Sequence, residues 1–231
     1  MKRARLFSVV SLFFLIPMTL WLGKVLPGRW YYLTATLVIL ETMTPFFLAF
    51  ETRKPQAREL VTISVMCALA IASRLIVPIP NFKPVTAIVM ITGIALGAEA
   101  GFMTGAISAL GSNFFLSQGP WTPWQMMAYG VGGYLAGLIF ANRPKYQKPW
   151  ILAIFGFVTI LLVVGILLDT SSVLTMGATI TKKFVIAVFA AGFPNNLIHA
   201  SGCAVTMLLF SGPLMRKLDR LKTKYGMMNV G

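Results

Sequence analysis

The sequence predicts an all-α polytopic membrane protein, and three observations carry that prediction. Hydrophobic residues fill 57% of the 231 positions and charged residues only 11%, with a mean hydropathy of +0.80. A soluble domain carries about 25% charged residues. Apolar runs of bilayer-spanning length recur from end to end, leaving no stretch for a separate soluble domain. The basic residues, lastly, gather on one side of an alternating topology.

Eight hydrophobic segments follow in order, at about 6–23, 30–50, 60–77, 85–98, 101–117, 124–141, 150–168 and 183–212. The first opens with Lys2, Arg3 and Arg5 before its apolar run, as a signal peptide does. No small-x-small cleavage site precedes Lys24, so it reads as an uncleaved anchor. The second carries Glu41 at its middle, where a carboxylate is costly. Such an acid is either functional or protonated and bonded to a neighbouring helix. The third presents Ala68-x-x-x-Ala72 beside Ala70, a face that lets another helix approach closely.

A single helix over 85–117 would run about 48 Å, too long for a hydrocarbon core of about 30 Å. The turn Gly97-Ala98-Glu99-Ala100-Gly101 therefore splits it into two short segments. Gly93, Gly97, Gly101, Gly105 and Ala109 form a four-residue series, and Gly133-x-x-x-Gly137 repeats the pattern on the sixth segment. Packing within the chain explains both. The seventh segment ends before Asp169, and the eighth holds Pro194-Asn195-Asn196 and His199. Cys67 and Cys203 fall inside helices without metal-ligand spacing and read as inert buried thiols.

The net charge of +14 is ordered by this topology. An inside N-terminus puts Lys2, Arg3, Arg5, Arg53, Lys54, Arg58, Arg143, Lys145, Lys148, Arg216, Lys217, Arg220, Lys222 and Lys224 on the cytoplasmic side. Lys24, Arg29, Lys83, Lys182 and Lys183 fall outside, and Arg74 lies near the outer end of its helix, so 14 basic residues oppose 5. That is the positive-inside bias of a cell-membrane protein with both termini cytoplasmic. Basicity of this kind answers to anionic lipid and not to nucleic acid.

Two proline-rich breaks then stand on the outer side, Pro78–Pro84 and Gln118–Gln125, joined by a third loop at Asp169–Thr181. Irregular polar segments at a membrane rim persist where they are buried or line a cavity. Arg74, Asn81, Phe82, Lys83, Gln118, Trp121, Trp124, Gln125, Asn195 and Asn196 are the candidate substrate-binding residues. Amides and aromatics without clustered carboxylates suit an uncharged or mixed-polarity organic ligand and not a metal cage. Bland roles compete: the tryptophans as interfacial belt, Arg74 as a snorkelling cation, and the asparagines as partners for carbonyls freed by Pro194. No catalytic pair, phosphate loop or metalloprotease motif appears, so no catalytic residue, metal or cofactor is expected. A proton-coupled secondary transporter using Glu41 or His199 is a rival reading.

Residues from about 59 to 215 resemble the substrate-binding S-component of energy-coupling factor (ECF) vitamin transporters. The likeness rests on the basic segment leading into Ala68, Ala70 and Ala72, and on the Pro80-Asn81-Phe82-Lys83-Pro84 loop. Gly97-x-Glu99-x-Gly101 with Gly105, and the Gly119-Pro120-Trp121 loop, complete it. Overall pattern looks most like the cobalamin-specific S-component of lactobacilli, with riboflavin or a queuosine precursor as alternative substrates.

The resemblance implies a six-helix core over 59–215; the two N-terminal segments and basic linker (1–58) exceed that core and are not explained by the shared motifs, and a basic tail (216–231) follows it. It implies a non-enzymatic subunit whose outward cavity is closed by the loops Ile79–Pro84, Ser117–Pro123 and Asp169–Thr181. It further implies that Ala68 and Ala72 dock the transmembrane coupling subunit EcfT, which works with two ATPase subunits.

Overall fold

The computed structural model describes residues 30–176 and 180–226, together with positions 10, 15, 17–19 and 21. Most of the predicted 6–23 anchor, Lys24 and Arg29 lie outside the described residues. Seven helices run from residue 30 onward: α1 (Trp30–Thr52), α2 (Ala57–Ile76), α3 (Val85–Leu96), α4 (Ala98–Leu116), α5 (Thr122–Phe140), α6 (Pro149–Thr175) and α7 (Lys182–Tyr225). No described residue is in a β-strand, as a bilayer requires of any chain that does not close a barrel.

Helices α1, α2, α6 and α7 are long and apolar enough to cross a membrane. Helices α4 and α5 fall short in hydropathy because they occupy the middle of the bundle. Thr104, Ser108, Ser112 and Asn113 of α4 are all buried against neighbouring helices. At 12 residues α3 reaches about 18 Å and crosses only part of the core. It ends at Gly97, whose φ of 97° is open to glycine alone among common residues, and α4 begins at once. The predicted split is therefore a break of one residue.

The glycine series binds α3 and α4 to α5. A Cβ at Gly101 would lie 2.5 Å from the Gly133 carbonyl oxygen, and one at Gly105 would lie 2.5 Å from Tyr129 carbonyl carbon. Backbones this close admit no side chain at either position.

Helix α1 lies outside the six-helix core and packs on α4 and α5. Ile39 and Met43 join Phe102, Trp124 and Met127 in one buried cluster, with Phe46 stacked on Phe102 at a centroid distance of 4.2 Å. Beyond its end, Arg53 pairs with buried Glu59 and with Glu99, and donates to the Leu96 carbonyl at 3.2 Å. Glu41 accepts from Thr19 across 2.7 Å, which ties the mid-helix acid to the preceding segment.

Two predicted boundaries move. The stretch Asp169–Thr181 is not a loop over its length, because α6 continues helical to Thr175. Its five-residue π-helical turn at Ile160–Val164 inserts an extra residue and re-aims the face that follows. The predicted tail from 216 is likewise helical as far as Tyr225, so α7 runs about 66 Å, well beyond the hydrocarbon thickness.

Candidate functional site

A cavity of about 520 Å³ opens between the end of α2, the loop after it, α5, α6 and the first half of α7. Arg74 comes from the last turn of α2, and Asn81 and Lys83 from the Val77–Pro84 connection. Gln125 and Tyr129 sit one turn apart on α5, while α6 gives Leu168, Asp169, Ser172 and Met176. From α7 come Phe184, Gly192, Asn195, Asn196 and His199, with Ala187, Val188 and Ala191 between them.

The polar walls are held by a network that starts at Arg74. Its guanidinium donates to Ser112 Oγ and to Asn113 Oδ1 (3.0 Å), reaches Gln125 Oε1 at 3.4 Å, and stands 5.6 Å from the Tyr129 ring centroid. Asn113 donates in turn to Gln125 Oε1 (2.8 Å) and to Thr122 Oγ1 (3.0 Å). None of the three ion pairs among the described residues involves Arg74 or Lys83. A buried cation held by neutral acceptors alone keeps its field free for a ligand. Lys83 donates to the Arg74 carbonyl at 3.5 Å. Burial, and after it the Arg74 charge, holds the Lys83 ammonium below the usual lysine range.

Three further bonds knit α7 to the other walls of the cavity. Asn81, at φ 59°, donates to Asn195 Oδ1 at 2.8 Å, and Thr86 Oγ1 lies 2.7 Å from His199 Nε2. Asn196 donates to Asp169 Oδ2 at 2.8 Å. The Asp169 carboxyl fills the place of a side chain at Gly192, where a Cβ would fall 2.6 Å from its carboxyl carbon. Cations from the α2 side and a carboxyl from α6 thus give the cavity a charge polarity.

Six of the ten candidate residues come together here: Arg74, Asn81, Lys83, Gln125, Asn195 and Asn196. The other four stand elsewhere, and that corrects the expectation for the aromatic wall. Trp124 is buried at 7% exposure against α1 and α4. Trp121 lies half-open over Gly119, and Phe82 packs on Gly202 of α7. Gln118 is spent on the turn, bonding the Leu110 carbonyl and accepting from Thr122 Oγ1. The aromatic surfaces of the cavity are instead Tyr129 and Phe184. Tyr129 was within reach of sequence reasoning, since it follows Gln125 by four residues on the same helical face. Phe184 carried no such signal. Ala68 is exposed and Ala72 half-buried on the opposite, outer face of α2 from buried Ala70 and Arg74.

Residues 54–216 match the family described as ECF-type riboflavin transporter, S component. The chain belongs to that family. The match takes in α2 to α6 and most of α7, and leaves α1 and everything before it outside. No curated protein and no solved structure matches the chain. As an S-component it is the substrate-binding membrane subunit of an ECF vitamin transporter, a transport subunit and not an enzyme. It works with EcfT and an ATPase module.

Proposed function

We propose that the 520 Å³ cavity is the vitamin pocket, and that it takes a single fused-ring vitamin of riboflavin's size and polarity. The volume carries this reading. It sits in the range of about 300–1,000 Å³ that encloses drug-sized ligands. Cobalamin, with a corrin macrocycle and an appended nucleotide loop, has several times the bulk of a flavin. The resemblance to cobalamin-specific relatives draws no support from a cavity of this size.

The lining suits a flavin in kind as well. An isoalloxazine has an apolar benzenoid end and a pyrimidinedione edge that alternates acceptors with an N–H donor. Arg74 and Lys83 offer donors to the acceptors, Asp169 accepts from N–H or hydroxyl groups, and Tyr129 and Phe184 offer ring faces. The basic residues at the far end of the bundle argue that this mouth faces outward and that both termini are cytoplasmic. Ala68 and Ala72 then present the docking face to EcfT within the membrane.

Titration of purified protein with riboflavin, followed by quenching of flavin fluorescence, tests the assignment. Saturable quenching at one site per chain, undisturbed by excess cobalamin, is expected. Tight cobalamin binding without any flavin response would overturn it.

A further inference from the structure

His199 is the one histidine of the chain, and it lines the 520 Å³ cavity at 6% exposure. Its ring is held from two sides. Nε2 lies 2.7 Å from Thr86 Oγ1, and the Tyr129 ring meets it edge to face, 6.0 Å away between centroids and at 76°. Asn195, one turn earlier on the same face of α7, is fixed in turn by Asn81.

Which ring nitrogen carries the proton follows from Thr86, whose side chain is fully buried in the first turn of α3. Thr92 and Thr104, deeper in their helices, donate to the carbonyls four residues back, those of Ile88 and Ala100. Thr86 makes no such bond, and His199 Nε2 is its one hydrogen-bond partner among the described residues. If the hydroxyl accepted from Nε2–H, its own hydrogen would be buried without an acceptor, which is costly. Thr86 therefore donates, Nε2 accepts, and the proton of the ring stands on Nδ1. That nitrogen has no partner among the described residues and is not sealed in the interior. The polar groups beside it are donors as well. Gln125 Oε1 is taken by Asn113 and Arg74, which leaves its amide N–H groups, and Arg74 and Lys83 are cations.

We propose that His199 Nδ1–H is a specificity-determining donor to a carbonyl oxygen or ring nitrogen of the vitamin, and that Thr86 is the positioning residue that keeps the proton there. A ligand with an acceptor-rich edge is favoured, and one that turns N–H groups to this wall is refused. The inference rests on the cavity being the vitamin pocket.

NMR of the full chain in detergent, labelled with heavy nitrogen at histidine alone, tests it. A single imidazole gives two nitrogen signals, so the first measurement needs no variant. Nδ1 should carry the proton and Nε2 the lone pair, and saturating riboflavin should shift Nδ1 while Nε2 holds its place. Thr86→Val should let the proton occupy either nitrogen, seen as averaged signals. Thr86→Val with His199→Phe replaces both polar partners by apolar groups, so melting should stay near that of the parent. Its riboflavin affinity should fall about tenfold, the worth of one hydrogen bond. A proton on Nε2 in the parent, or an Nδ1 signal unmoved while riboflavin quenching saturates, would overturn this inference alone. Absence of quenching would overturn the vitamin assignment, and this contact with it.

Discussion

Asn196 donates its side-chain amide to Asp169 Oδ2 across 2.8 Å, and this bond fixes a carboxyl group on the wall of the 520 Å³ cavity. The two residues lie on different helices, and the bond exists only because Gly192, one turn before Asn196, leaves room for the carboxyl. Gly192→Ala pushes Asp169 off its place. Vitamin affinity should fall roughly 10–100-fold, the worth of a hydrogen bond to a charged group. Fluorescence titration reads the loss, and an unchanged Kd would remove Asp169 from the ligand's contacts.

Trp124 and Gln125 are neighbours in sequence with different fates. Gln125→Ala should weaken vitamin binding about tenfold and cost only about 1 kcal/mol of stability, since Arg74 and Asn113 lose one acceptor but keep Ser112 and Thr122 as partners. Trp124→Ala should do the reverse, costing about 3–5 kcal/mol of stability from the α1–α4–α5 cluster while affinity holds. Melting curves and titrations on the same two preparations separate them.

The outer face of α2 should matter for transport alone. Ala68→Leu with Ala72→Leu adds bulk on the face of α2 turned away from buried Ala70 and Arg74, so purified protein should bind vitamin as before. Uptake by cells expressing the whole ECF complex should fall to background. Uptake at the parental rate would place the EcfT contact elsewhere.

At the opposite end of the bundle, Arg53 serves two acids and one carbonyl. Arg53→Leu leaves Glu59 buried without its cation, a change of the kind that costs about 3–5 kcal/mol. The melting temperature should drop, and adding Glu59→Gln should recover part of it. If the single variant melts like the parent, the ion pair does not hold α1 against the core.

Much of this protein was legible in its sequence, and the misses share one cause. The Pro78–Pro84 break delivered Asn81 and Lys83 to the cavity, as expected of a polar loop at a membrane rim. The second break did not. Its Gln118 and Thr122 are consumed by the turn between α4 and α5, and of that stretch only Gln125 reaches the cavity. Glu41, a candidate proton relay, bonds Thr19 and lines no part of the cavity.

The amino-acid sequence determined the class of fold, the order of the core helices and the break at Gly97. Lipid leaves a backbone so few ways to satisfy its hydrogen bonds that composition and apolar period suffice. It also placed polar candidates for a ligand site at the proline-rich end, of which Asn81, Lys83 and Gln125 line the cavity. Only the tertiary structure decided which side chains meet there. Successive residues on a helix point about 100° apart, so whether Trp124 or Gln125 faces the cavity depends on how α5 is rotated. That rotation is set by the glycine contacts of Gly101 and Gly105 with α5, across helices far apart in sequence.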